Sequence, residues 1–264
     1  APKFTYWGHG YDRSQYDELR LFNRALTDAD IQTIIQNDKP YVPRNGEIFY
    51  MPFDGTYKDL IGNKEATKVG SPSFGAGKVG KAYAGAANSY LTYPASELTK
   101  TTSFSAAFWM KVNPVPDRAG ILVMGPPDEA APAAPNNRKT GFRFFREGSA
   151  TAQIFKLNSG NGTADSWFDG GASATINPTS GAWTHFAYTI SPTECVVYIN
   201  GEVAKQGSFT GISWTGCDIL SIMSGAPRFT GWNHLSDLSL MDELHIFNKA
   251  ITHAEVIDIM NSEK

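Results

Sequence analysis

The 264-residue sequence predicts an all-β protein, a two-sheet antiparallel sandwich with one short C-terminal helix. Three observations carry this. Short apolar stretches recur at brief intervals between turn residues. Aromatics make up 12% of the chain beside 25 Gly and 15 Pro, which suits many short strands joined by tight turns. The chain also holds one segment twice, and each copy reads as a strand followed by a capped helix.

The duplicated segment is Tyr16-Asp-Glu-Leu-Arg-Leu-Phe-Asn-Arg-Ala25 in the first copy and Leu240-Met-Asp-Glu-Leu-His-Ile-Phe-Asn-Lys-Ala250 in the second. Extended without a gap, residues 1–36 pair with 226–261, and 17 of these 36 positions are identical. Chance does not give that. In the second copy Leu244 and Ile246 alternate with Glu243, His245 and Phe247, the period of a strand. Thr252 stands three residues before Glu255, a capping-box signature, and Val256, Ile259 and Met260 form one apolar stripe on the helix that follows. Only the last segment of the first copy is present, so residues 1–38 read as the remnant of a preceding repeat. That remnant docks on its own chain or on another, since an isolated strand and helix cannot bury their apolar faces. Lys39-Pro-Tyr-Val-Pro-Arg-Asn-Gly46 is the linker, and 47–264 is a complete domain.

The remaining strands follow in order. Tyr50-Met-Pro-Phe-Asp-Gly-Thr-Tyr-Lys-Asp-Leu-Ile-Gly62 supplies an opening strand and loop. Gly77-Lys-Val-Gly-Lys-Ala-Tyr83, Tyr90-Leu-Thr-Tyr93, Phe104-Ser-Ala-Ala-Phe-Trp-Met-Lys111, Trp183-Thr-His-Phe-Ala-Tyr-Thr189 and Val196-Val-Tyr-Ile-Asn-Gly-Glu202 come after it. Along 104–112, Phe104, Ala106, Phe108, Met110 and Val112 share the core face, leaving Trp109 on the other. Three long loops stand out: a Pro/Ala-rich one at 126–139, a polar one at 158–171 with an aromatic pair, and 209–216. Loops of this length inside compact domains are functional or disordered.

With these residues in view, the pattern Asp242-Glu-Leu-His-Ile-Phe-Asn-Lys-Ala-Ile-Thr252 resembles the C-terminal signature of bacterial laminin-G-like, concanavalin A-like jelly-roll domains. The resemblance extends through the strands quoted above. It implies a two-sheet antiparallel jelly roll, and it looks strongest to surface proteins of glycan-degrading Bacteroidota. It further implies an exported, cell-surface accessory protein that holds a polysaccharide or glycan without cleaving it. The alternative is an adhesion or assembly module that binds other surface proteins.

Composition excludes other classes. With 23 basic and 26 acidic residues the formal charge is −3, and no clustered basic face suggests a nucleic-acid partner. No apolar run reaches the length of a membrane span, so no direct membrane insertion is expected of this chain. Cys195 and Cys217 are a disulfide in an exported protein or two buried free thiols.

Three kinds of site are weighed. By strand alternation Asp242 falls on the face of Leu244 and Ile246, and an unpaired carboxylate there is costly. If the first and last strands pair antiparallel, Asp54, Gly55 and Asp59 approach Asp242, a set suited to a structural calcium ion. Alternatively, Asp242 accepts backbone hydrogen bonds at a bulge or turn. A carbohydrate platform would draw on Trp167, Trp214 and Trp232 for stacking, with Asp169, Asn137, Arg138, Arg143 and His234 reading hydroxyl groups. Against it, Trp232 and His234 recur as Trp7 and His9 and would then simply cap the fold in every repeat. Catalysis is not expected, because a glycosidase needs two carboxylates set across one bond. The laminarinase-like spacing Glu-x-Asp-x-x-Glu is absent, while Asp128-Glu129 and Asp242-Glu243 are merely adjacent. His185 is read as structural.

Overall fold

The computed structural model describes residues 14, 19–37, 41–127 and 138–263, divided into two compact units, Ala1–Tyr41 and Val42–Lys264. In the first unit, helix Asp28–Asn37 starts from a reciprocal cap in which Asp30 N donates to Thr27 Oγ1 at 3.2 Å and Thr27 N donates to Asp30 Oδ2 at 2.8 Å. The Arg24 guanidinium grips the same carboxylate at 2.7 and 2.9 Å.

The second unit is a sandwich of two eight-stranded antiparallel sheets, a jelly roll with one short C-terminal helix. The first sheet runs Glu202–Ser208, Glu194–Ile199, Trp183–Ile190, Phe104–Lys111, Leu240–Phe247, Lys81–Ala84, Ser73–Ala76, and Phe49–Met51 adds to Leu240–Phe247. The second runs Asp165–Asp169, Ala152–Gly160, Phe142–Ser149, Arg118–Gly125, Ile219–Ile222, Tyr90–Pro94, Thr67–Val69, with Thr175–Ile176 on the flank of Ala152–Gly160. Between the sheets lies one apolar core containing Phe104, Ala106, Phe108, Met110 and Val112, the face predicted by period-two alternation. Phe186 and Tyr188 of the neighbouring strand share that face, and Phe144 and Phe155 of the second sheet meet them, with ring centroids 4.2 to 6.3 Å apart.

The opening strand pairs antiparallel with the last, with Phe49 opposite Ile246 and Met51 opposite Leu244. In the last strand, alternation fails between Asp242 and His245. Met241 and Leu244 both enter the core because an extra residue is accommodated between Asp242 and His245, where Glu243 takes φ +52°. Asp242 is thereby put in register with Trp109 rather than on the face of Leu244 and Ile246.

Helix His253–Ser262 is nucleated by the full capping box of Thr252 and Glu255. Its Val256 and Ile259 pack with Ala107, Ala187, Val196, Tyr198 and Phe247 on the outer face of the first sheet. A loop crosses the outer face of the second sheet between Ile219–Ile222 and Leu240–Phe247. It lies so close that a Cβ on Gly120 would stand 2.1 Å from Gly225 N, and one on Gly225 would stand 2.1 Å from His234 O. Only glycine fits either position.

Candidate functional site

The hairpin Ala152–Gly160 to Asp165–Asp169 turns what reads as a long polar loop at 158–171 into two paired strands. Period two then sorts the second strand. Phe168 enters the core at 4% exposure, while Asp165, Trp167 and Asp169 point outward. Across the same outer face, Trp167 is in register with Asn158, which is in register with Arg143, and Asp169 is in register with Lys156, which is in register with Phe145.

The crossing loop adds Phe229, Trp232 and His234 to this surface. Phe229 and His234 stack with centroids 4.7 Å apart, and both contact Phe145, at 5.3 and 4.7 Å. Upon this buried aromatic base stand two half-open indoles, Trp167 at 41% and Trp232 at 43% exposure. Their ring centroids are 6.0 Å apart with the planes 35° from parallel. Arg138 lies over both, its guanidinium carbon 5.2 Å from the Trp167 ring centre and 4.8 Å from that of Trp232. Asp165 orients that guanidinium through Nε at 3.0 Å and also accepts a hydrogen bond from Asn158 Nδ2 at 2.9 Å.

A polar border completes the surface. Glu147 bonds His234 Nε2 at 2.8 Å through Oε1 and Lys156 Nζ at 2.8 Å through Oε2. Lys156 reaches Asp169 as well, at 3.2 Å. The His234 hydrogen bond, then Lys156, holds the Glu147 carboxyl down at about 2. Stacked rings with a charged, donor-rich edge offer an apolar face to C–H groups and a reading edge to hydroxyls. Beside the same loop, a cavity of about 630 Å³ is lined by Asn88, Asp117, Arg118, Asn233, Leu235 and Ser236, among others.

Five expected ligand residues therefore come together: Trp167, Trp232, His234, Arg138 and Asp169. His234 is fully buried and props the aromatic base instead of facing solvent. Trp214 lies elsewhere, packed on Phe104 and Phe142 with its Nε1 donating to Thr101 O at 2.6 Å. Arg143, expected as a hydroxyl reader, is fully enclosed and donates to Thr140 O at 2.7 Å. Asn137 lies outside the described residues, as do Asp128 and Glu129. Sequence reasoning missed Glu147, Lys156 and Phe145, and the outward alternation of the short second strand is the signal that would have found the surface.

The expected calcium set does not form an oxygen cage. Asp59 Oδ1 accepts from Tyr50 N and Ile61 N at 3.1 and 3.0 Å, and its Oδ2 from Gly62 N and Tyr93 Oη at 2.9 and 2.7 Å. Asp242 Oδ2 accepts from Lys78 N and Val79 N at 2.7 and 2.9 Å, and its Oδ1 from Glu243 N at 3.0 Å. Asp54 Oδ1 accepts from Lys81 N at 2.7 Å, and the Gly55 N–H is spent on Phe53 O at 2.8 Å. Donors surround these carboxylates, whereas calcium requires about six to eight oxygens. Asp242 follows the bulge-type hydrogen bonding, yet burial outweighs its three N–H partners and pushes the carboxyl up to about 7.

The fold is that of a concanavalin A-like sandwich. Residues 85–257 match the family model Laminin_G_3, the concanavalin A-like lectin/glucanases superfamily, and the chain belongs to that family. No curated protein matches the sequence. Among solved structures, domain 4 of the extracellular arabinanase AbnA of Geobacillus stearothermophilus, in complex with arabinotriose, is similar at TM-score 0.62 and 21% identity, covering 81% of this chain and 98% of that one. The binding domain of botulinum neurotoxin DC in complex with SialylT is similar at TM-score 0.56 and 13% identity, covering 83% and 52%. The binding domain of Paraclostridial Mosquitocidal Protein 1 is similar at TM-score 0.57 and 15% identity, covering 82% and 52%, so this chain spans about half the length of these two toxin domains.

Proposed function

We propose that this chain is a non-catalytic carbohydrate-binding module that grips a polysaccharide or glycan on the surface formed by Trp167, Trp232 and Arg138. The observation that carries the reading is the pair of half-exposed indoles 6.0 Å apart under one oriented guanidinium. Two rings of that size, supported from below by Phe145 and Phe229, give a rigid apolar seat for sugar C–H faces. Arg138, Asp169 and Lys156 stand where hydroxyl groups of a seated sugar would meet donors and acceptors. A glycan chain leaving Trp232 would run toward the cavity that Asn233 and Arg118 line.

Family membership and the carbohydrate complexes of the arabinanase domain and the neurotoxin domain support a binding rather than a cleaving role. The extracellular enzyme to which that domain belongs supports an exported, surface-held protein. The 17 identities between 1–36 and 226–261 support a tandem array of such domains. Affinity electrophoresis against a broad panel of plant and host polysaccharides, arabinans included, tests the reading. Retardation by one glycan class is expected. Free migration with every glycan, together with capture of a surface protein, would favour the adhesion-module reading.

A further inference from the structure

A second cluster lies on the opposite side of the sandwich, outside the glycan surface. Glu243, His245 and Glu263 bring one ligand atom each within 4.8 Å of the others, and all three side chains are buried. Two elements supply them: the bulged strand Leu240–Phe247, and the residue that closes helix His253–Ser262. Glu263 Oε1 lies 2.6 Å from His245 Nε2, and its Oε2 accepts from Trp109 Nε1 at 2.7 Å. Glu243 Oε2 accepts from Tyr50 Oη at 2.6 Å, and the Tyr50 ring stacks on His245 at 4.4 Å. Each ligand is thus held by a further side chain, as metal ligands are when their orientation is set.

An independent observation points to the same place. His185 is fully buried, and neither of its ring nitrogens has a hydrogen-bond partner. It is in register with Trp109 and meets that indole edge-on at 5.2 Å, the same indole that holds Glu263. A buried imidazole with both nitrogens unused is costly unless something occupies one of them.

The sequence supplies the charge argument. In the ungapped alignment of the two copies, Glu243, His245 and Glu263 stand opposite Glu18, Arg20 and Asp38. At the position of His245 the first copy has arginine, so the second copy puts a neutral-capable imidazole where the first has a permanent cation.

We propose that Glu243, His245 and Glu263 form a structural site for a divalent transition metal of the Zn²⁺ class. Mixed imidazole and carboxylate donors at this spacing suit Zn²⁺, whereas calcium would call for more oxygens than the pocket holds. Metal uptake displaces the proton shared by His245 and Glu263 and opens their 2.6 Å contact to about 3.3 Å, the edge of a tetrahedron with bonds of ~2 Å. The ion would pin the end of the C-terminal helix to the last strand.

The test uses the full chain, stripped with a chelator, dialysed and titrated with Zn²⁺ alone by calorimetry and thermal melting. Co²⁺ serves as a spectroscopic probe of geometry. One Zn²⁺ per chain, a raised Tm and a tetrahedral Co²⁺ spectrum are expected. His245→Arg, which installs the residue of the other copy, should fold yet bind Zn²⁺ at least about tenfold more weakly, and Glu263→Gln should do likewise. Failure of the stripped parent to take up stoichiometric Zn²⁺ overturns the proposal without any variant. Equal Zn²⁺ affinity in parent and His245→Arg overturns it as well.

Discussion

Arg146 and Asp237 form a fully buried ion pair, with Nε 2.6 Å from Oδ2 and Nη2 3.1 Å from Oδ1, across 91 residues of sequence. The pair ties the end of the loop that carries Trp232 to the strand next to the one paired with Trp167. Gln153 Oε1 and Pro116 O accept from the remaining guanidinium N–H at 2.6 and 2.9 Å, and Ser239 N donates to Asp237 Oδ1 at 2.8 Å. Removing one partner strands the other charge in the interior. Arg146→Met is therefore expected to cost ~3–5 kcal/mol in urea unfolding, and Arg146→Met/Asp237→Leu should recover much of it. Equal losses in the single and double variants would contradict this.

Trp214 separates stability from binding. Its ring plugs the core edge between Phe104 and Phe142, away from the Trp167–Trp232 pair. Trp214→Ala should lose ~3 kcal/mol or more of unfolding free energy while leaving glycan affinity within about twofold. A stable Trp214→Ala protein with abolished binding would move the site to the 209–216 loop.

Acid stability should carry the mark of Glu147. Its folded-state carboxyl sits at about 2, below the ~4.3 of an unfolded glutamate, because His234 and Lys156 bind the ionised form. A depressed carboxyl stabilises above the unfolded value, and that contribution is lost as pH falls from about 4.5 toward 2. Thermal melts of Glu147→Gln across this window should show a shallower acid limb than the parent. Identical limbs would show that the contact does not persist in solution.

Both cysteines are free, and burial pushes the Cys195 thiol up to about 12 and that of Cys217 to about 11. Thiolate is the reactive form, so neither should react appreciably with a thiol-specific reagent at pH 8 in the native protein. Both should react on unfolding. Rapid native labelling of one thiol per chain would contradict the burial described for it.

How much of this was legible beforehand depends on the range of the interaction. The strand 104–111 was readable because Phe104, Ala106, Phe108 and Met110 repeat with the period of a pleat. The capping box at Thr252 was readable because it is complete within four residues. Asp242 was misassigned to the inner face because one extra residue at Glu243 resets the alternation, and a bulge leaves no local compositional mark. Arg143 was expected at the surface as a hydroxyl reader, yet it is fully buried. The burial of Arg146 beside Asp237 depends on a loop about ninety residues downstream, which no window around it contains. The meeting of Trp167 with Trp232 rests on the same long-range folding of that loop over the second sheet.

The most direct test of the glycan reading is a side-by-side titration of parent, Trp167→Ala and Trp232→Ala with oligosaccharides of whichever glycan class the parent retains. Both tryptophans are exposed, so their removal should leave Tm nearly unchanged. The account predicts that each variant loses affinity by more than about tenfold, ~1.4 kcal/mol or more, at unchanged stability. Parent-like affinity in both folded variants would contradict it and remove the Trp167–Trp232 surface as the place where sugar is held.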